Sequence, residues 1–176
     1  MPLKIFLLNV HSDRNAGDLA LSRVTIQQLQ ENFPGCQITL SMNDPHSYQG
    51  DLTALGSFFT WILDGSRWRR PHLFWFVPGT LLPILTWKFW KSPWFGLTPT
   101  RWRAWLKHYL ESDLVVSTAG GFFYSSGSGV TLLVTAYSLV LAFLTGKPLY
   151  VFPQSFGPFR RGWERWLARQ IYSRTR

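Results

Sequence analysis

The amino-acid sequence predicts an α/β protein built on a Rossmann-like parallel sheet with helices on both faces, and three observations carry that prediction. Leu3–Val10, Asp113–Ser117 and Pro148–Phe152 are short, nearly unbroken apolar runs rich in branched residues, as strands buried on both faces of a parallel sheet require. Two of them open strand–helix–strand units of ordinary length, residues 3–41 and 113–152. All three run into loops rich in glycine or small polar residues, Asn15–Asp18, Gly120–Gly121 and Gln154–Gly157. In open α/β sheets ligands bind beyond the carboxyl ends of the strands, so the three loops are expected to meet at one edge.

Taken in order, Leu3–Val10 is the first strand and His11–Gly17 a polar turn that opens a helix from about Asp18 to Asn32. Asp18 is placed to cap that helix, and Gly17 before it to allow a backbone shape or close approach that a side chain would block. Leu19, Leu21, Val24, Ile26 and Leu29 are expected to form its apolar face, and Pro34-Gly35 marks its end. Gln37–Ser41 is a second strand, joined to the first by a right-handed crossover. Asp51–Leu63 reads as a helix, after which Pro71, Pro78, Pro83, Pro93 and Pro99 are expected to interrupt regular structure.

The third strand, Asp113–Ser117, stops at Gly120-Gly121, and a loop follows over Phe122–Ser128. Gly129–Thr145 is an uncharged run of about four helical turns that ends at Gly146. It is too short to span a bilayer comfortably, and the strands on either side of it explain its apolar character as core. Pro148–Phe152 is the last strand of the unit and leads into Gln154–Phe159.

With 176 residues the chain is expected to form one domain, residues 1–176, with a substantial core. Apolar residues at 46% and charged residues at 15% exclude a disordered chain. A single cysteine, Cys36, excludes an internal disulfide and a multi-cysteine metal site, and it points to a reducing, cytoplasmic setting. The short apolar amino terminus lacks a cleavage pattern and reads as a strand rather than a signal peptide. Neither a G-x-G-x-x-G fingerprint nor a P-loop follows any strand, which excludes a nicotinamide oxidoreductase and a P-loop ATPase. His46, His72 and His108 show no metal-ligand spacing, so no metal and no cofactor is expected.

The net charge of +9 is unevenly placed. Arg67–Lys107 carries +8 with no acidic residue and Arg160–Arg176 carries +5, leaving −4 for the remainder. Steering of an anionic partner follows. Within the basic segment, the Pro/Trp-rich stretch 66–100 reads as an insertion. Its uncharged run Pro71–Trp87 is shorter than the roughly 20 residues a transmembrane helix needs and is broken by His72, Pro78, Gly79 and Pro83. The alternation of Trp87, Lys88, Trp90, Lys91 and Trp94 with the cations beyond fits either packing against the domain or an anionic membrane surface, on the inner face if so. Single-stranded nucleic acid also uses such surfaces, but no RNA-binding signature accompanies this one.

Asn15-x-Gly17-Asp18-x-Ala20 after the first strand, Asp113-Leu-Val-Val before Gly120-Gly121, and Gln154-Ser155-x-Gly157-Pro158-Phe159 after Gly146-Lys147-Pro148 together resemble the polysaccharide pyruvyl transferase family in order and spacing. The resemblance implies a fold like the amino-terminal domain of a GT-B-type transferase. It also implies transfer of the enolpyruvyl portion of phosphoenolpyruvate to a sugar of a cell-surface polysaccharide as a pyruvate ketal. Family members are about twice as long and hold phosphoenolpyruvate largely through a second domain. The 176 residues are therefore expected to be an amino-terminal half, inactive by itself, that carries the sugar or glycan acceptor. The chain departs from the family pattern at His11–Arg14, where glycines are common, and at Tyr124–Ser126, where an Asp is common.

On this reading Asn15, Gly17, Asp18, Gly120, Gly121, Gln154, Ser155 and Gly157 are candidate substrate-binding residues. His11 and Asp18, with Asp13 beside them, are candidate proton-transfer groups, an imidazole at a strand end being suited to take a hydroxyl proton near neutral pH. Two other classes use the same features: a GT-B glycosyltransferase half that takes a nucleotide sugar, and a non-catalytic membrane-surface module resting on Arg67–Lys107.

Overall fold

Four consecutive apolar residues define the central strand. In the computed structural model of the protein, which describes residues 1–63, 69–125 and 129–175, β1 covers Lys4–Val10 and Ile5–Leu8 are each at most 1% exposed. β2 (Gln37–Met42) and β4 (Leu114–Ser117) flank it, with Leu7 opposite Leu40 on one side and Val116 on the other. β3 (Thr53–Gly56) and β6 (Leu149–Val151) complete a five-stranded sheet in the order β3-β2-β1-β4-β6, every pairing parallel. The strand order reverses between β1 and β4, and a crevice beyond the carboxyl ends is expected there.

Alternation along the strands divides the core between two faces. Ile5, Leu7, Leu114 and Val116 cluster with Leu29 of α1 (Ala16–Asn32) on one side. Phe6, Leu8 and Val115 cluster with α4 (Thr100–Glu111) and α5 (Val130–Thr145) on the other. The Rossmann-like sheet thus carries helices on both faces. α6 (Gly162–Tyr172) closes the described chain, tied down by buried Glu164, whose carboxylate accepts from the amides of Arg160 and Arg161 and the hydroxyl of Ser125.

Five sequence expectations need correction. α1 starts at Ala16, and its cap is Asn15, whose side chain accepts from Gly17 N at 3.0 Å; Asp18 instead sits in the first turn, where its charge favours the helix dipole. Its inward face is Ser22, Thr25 and Leu29, while Leu21 and Val24 are 41% and 51% exposed. The two threonines explain the rotation, because buried Thr25 and Thr118 hydroxyls pair at 3.1 Å and fix α1 against the end of β4.

Residues 51–63 divide into β3 and α2 (Phe58–Leu63) rather than one helix. Ser57 makes the break: its amide donates to Met42 O and its hydroxyl accepts from the amides of Phe59 and Thr60, a cap that starts α2.

Pro71, Pro78 and Pro83 do not interrupt regular structure, whereas Pro93 and Pro99 do lie in the irregular stretch before Thr100. α3 runs through Pro78 and Pro83 from Arg69 to Trp90. Pro83 leaves the carbonyl of Gly79 without its helical donor, and the buried Thr98 hydroxyl donates to it at 2.6 Å. Gly79 makes that possible, since a Cβ there would lie 3.1 Å from Leu97 O.

Finally, the Gly-Gly and Gln-Ser segments are not loops. β5 (Gly120–Phe123) and β7 (Gln154–Phe156) pair in parallel as a separate ribbon, with Gly120 opposite Gln154. Neither leads directly into a helix, so of the three motifs Asn15–Asp18 alone is a helix start. Ser126–Ser128 of the expected loop and Ser66–Trp68 of the insertion lie outside the described residues.

Candidate active site

One residue before the end of β1, Asn9 takes a left-handed conformation, φ 62°, and its Nδ2 donates to Ser117 Oγ of β4 at 2.8 Å. The Gln154 amide donates to the same hydroxyl and to Thr118 O at 2.9 Å, and its Oε1 accepts from the hydroxyl of Tyr172 at 3.0 Å. Gln154 therefore ties the ends of β4, β7 and α6 together. On the ribbon, Gly121 and Ser155 face each other, with 3.9 Å between Ser155 Cβ and the position a Gly121 Cβ would take. Gly157, at φ 77°, donates its amide to Phe123 O at 2.9 Å and turns the chain away.

Gly120 is set by what lies over it. Its φ is +147°, and a Cβ would lie 2.3 Å from the Phe122 ring. That ring stacks on the His11 imidazole, centroids 4.6 Å apart and planes 20° apart. Phe122 thus joins the end of β1 to the Gly-Gly motif, and Ser117 joins β4 to Gln154 of the third motif.

His11 lies at the centre of this arrangement. Its Nδ1 is 3.9 Å from Asp18 Oδ2. Burial pushes its pKa below the usual histidine value, and the Asp18 carboxylate opposes that shift. The ring is therefore neutral near pH 7, with a carboxylate placed to favour it once protonated. The Asp13 backbone amide donates to Ser47 Oγ at 3.0 Å, beside the Arg14–Asp44 pair at 3.3 Å. At Gly17 a Cβ would meet nothing nearer than Asn15 Oδ1 at 3.4 Å, so packing within the chain does not demand glycine there.

Beside His11 opens a crevice of about 90 Å³ over the ends of β1, β2 and β3. Asn9, His11, Asn43, Ser57 and Tyr124 give it polar groups, Phe58 and Phe122 give it apolar walls, and Thr131, Thr135 and Ser138 on α5 close it. Pockets that enclose a whole small ligand run to about 300–1,000 Å³, so this one is too small to enclose one. Among the candidates named from sequence His11 alone lines it; Asn15, Gly17 and Asp18 stand at the start of α1, and Gly120, Gly121, Gln154, Ser155 and Gly157 on the ribbon.

The family model for polysaccharide pyruvyl transferase matches residues 15–176. The chain belongs to the polysaccharide pyruvyl transferase family. No curated protein and no solved structure matches it. The family match opens at the Asn15 cap and takes in the whole β5–β7 ribbon, whereas His11 lies ahead of it and owes its place to geometry.

The sequence reading gave no site role to Asn9, Asn43, Ser57 or Phe122, and named Tyr124 only as a departure from the family pattern. For Ser57 a signal existed: Gly56-Ser57 is a natural strand stop, hidden by reading 51–63 as one helix. Phe122 has none, because its contact with His11 crosses 111 positions of chain.

Proposed function

We propose that this protein binds the sugar acceptor of a pyruvyl transfer at the carboxyl edge of its sheet, phosphoenolpyruvate being the donor and a cell-surface polysaccharide or its precursor the acceptor. The His11–Asp18 pair carries the proposal. Neutral His11 takes the proton of an attacking sugar hydroxyl through Nε2, the ring nitrogen turned away from Asp18, and Asp18 stabilises the imidazolium. The hydroxyl oxygen bonds to the carbon that bears phosphate, an acid protonates the neighbouring methylene, and the carbon–oxygen bond to phosphate breaks. A second hydroxyl of the same sugar then adds to that carbon and closes the ketal, its proton restoring the acid while the proton held by His11 passes to the departing phosphate. Asn9, Asn43 and Ser57 offer the crevice amide and hydroxyl groups suited to a sugar edge. Bare backbone at Gly17 and Gly121, with Ser155 beside Gly121, suits close approach by the rest of the acceptor, while Gly120 serves by making room for Phe122.

The cations that hold phosphoenolpyruvate are assigned to a second, carboxyl-terminal domain, as in a GT-B-type arrangement, so residues 1–176 serve as the acceptor half. Departures from the family pattern at His11 and Tyr124 fall on the crevice wall, where they would set acceptor choice.

The test is to incubate the protein, alone and as the longest product of its reading frame, with phosphoenolpyruvate and candidate glycans. Phosphate release should be stoichiometric with an acid-labile ketal on the sugar. Binding of a nucleotide sugar without binding of phosphoenolpyruvate would instead establish a glycosyltransferase on the same edge.

A further inference from the structure

The outward side of α3 is apolar where a water-facing helix carries polar groups. Trp75, Val77 and Leu85 are each about half exposed, and Phe89 and Trp90 are each 72% exposed. The threonines of this stretch soften nothing, because the hydroxyls of Thr80 and Thr86 are engaged with the carbonyls of Phe76 and Leu82. The loop after α3 folds back through the Trp94 amide, which donates to Thr86 Oγ1 at 2.8 Å, and adds the exposed rings of Trp94 and Leu97 side chain to the same end.

Charge gives this surface its partner. Residues 65–110 contain no Asp or Glu, Lys88 and Lys91 are exposed at the same end of α3 as Phe89 and Trp90, and Arg103 and Lys107 of α4 are exposed as well. We propose that α3 and the loop after it lie in the headgroup layer of an anionic lipid bilayer, aromatic rings inserted and cations on the phosphates. A protein partner would need an acidic group opposite each cation; an anionic membrane supplies diffuse negative charge that matches cations spread over two helices and a loop. Among the described residues no helix is long and apolar enough to cross a membrane, so the helix lies in the plane. Its inner side stays fastened to the domain: Phe76 meets Phe58 edge-on at 5.0 Å, and the hydroxyls of Thr80 and Tyr137 share a hydrogen bond of 2.5 Å. Phe58 also lines the crevice, so the bilayer would sit one layer of side chains from the candidate site.

This inference uses no part of the transferase reading. The full chain should float with phosphatidylcholine vesicles that contain phosphatidylglycerol and not with phosphatidylcholine alone. Binding should weaken with salt, and Lys88→Gln and Lys91→Gln should each lower the partition coefficient about fivefold. Phe89→Ser with Trp90→Ser should abolish flotation. Brominated lipids should quench the tryptophan fluorescence of the unaltered protein, a readout that needs no variant. Failure to float with the anionic vesicles, absence of quenching, or a self-associated form dispersed by Phe89→Ser that never binds lipid would each overturn the proposal. None of these results bears on phosphate release from phosphoenolpyruvate.

Discussion

Two single residues make the candidate site testable by themselves. Burial depresses the pKa of His11, so the folded protein takes up that proton later than the unfolded chain does. The stability that neutral His11 contributes is complete above the unfolded value of about 6.5 and is lost as pH falls below it, down to the lower folded value. Nuclear magnetic resonance should find the His11 ring titrating below about 6.5, and urea midpoints for His11→Phe should fall less between pH 7 and pH 5 than those of the parent. Gly120 is held to glycine twice, by φ +147° and by the Phe122 ring over it. Gly120→Ala should cost about 1–3 kcal/mol in denaturant unfolding, and it should shift the His11 resonances because Phe122 is the ring that moves. The Gly pair reads in the sequence as a loop, whereas it opens β5, and that its first glycine makes room for an aromatic ring was not legible either, because the contact depends on where the β5–β7 ribbon sits.

Among the elements, α3 shows how a rule of local sequence is overridden. Proline inside a helix costs about 3 kcal/mol or more, largely through the lost bond and the clash with the preceding turn. Here the freed Gly79 carbonyl finds the Thr98 hydroxyl 19 positions later. Thr98→Val keeps the shape and removes the donor, leaving a buried carbonyl unsatisfied, and should lower stability by about 1–3 kcal/mol with the strongest loss of amide protection around Gly79. α1 teaches the same lesson differently. Its leucine and valine pattern pointed to one face, yet Thr25 pairs with Thr118 and turns Leu21 and Val24 outward. The end of α5, by contrast, was readable: Gly146, at φ 71°, stops that helix as its position after a long apolar run implied.

At the scale of the whole molecule the sheet is joined to its helices by an aromatic cluster. Trp105 of α4 stacks on Tyr109 at 4.8 Å, meets Phe6 of β1 edge-on at 5.0 Å, and donates Nε1–H to Ser41 of β2 at 2.8 Å. Trp105→Ala should destabilise the domain by about 3–5 kcal/mol, read by calorimetry or denaturant unfolding, since it removes the largest buried ring and leaves Ser41 without its donor. Tryptophan in the basic segment therefore plays two parts: Trp102 and Trp105 are core, whereas Trp75, Trp90 and Trp94 face outward. By itself the sequence determined the class of fold, the central strands, the α5 core helix and the three motifs that place the chain in its family. Those features depend on period, composition and near-neighbour turns, which act within a few residues. Tertiary structure alone decided which face α1 buries, that β3 joins the sheet, that α3 continues through its prolines, and that Phe122 covers His11. Each of those depends on a partner group distant along the chain, and no local pattern specifies which partner arrives.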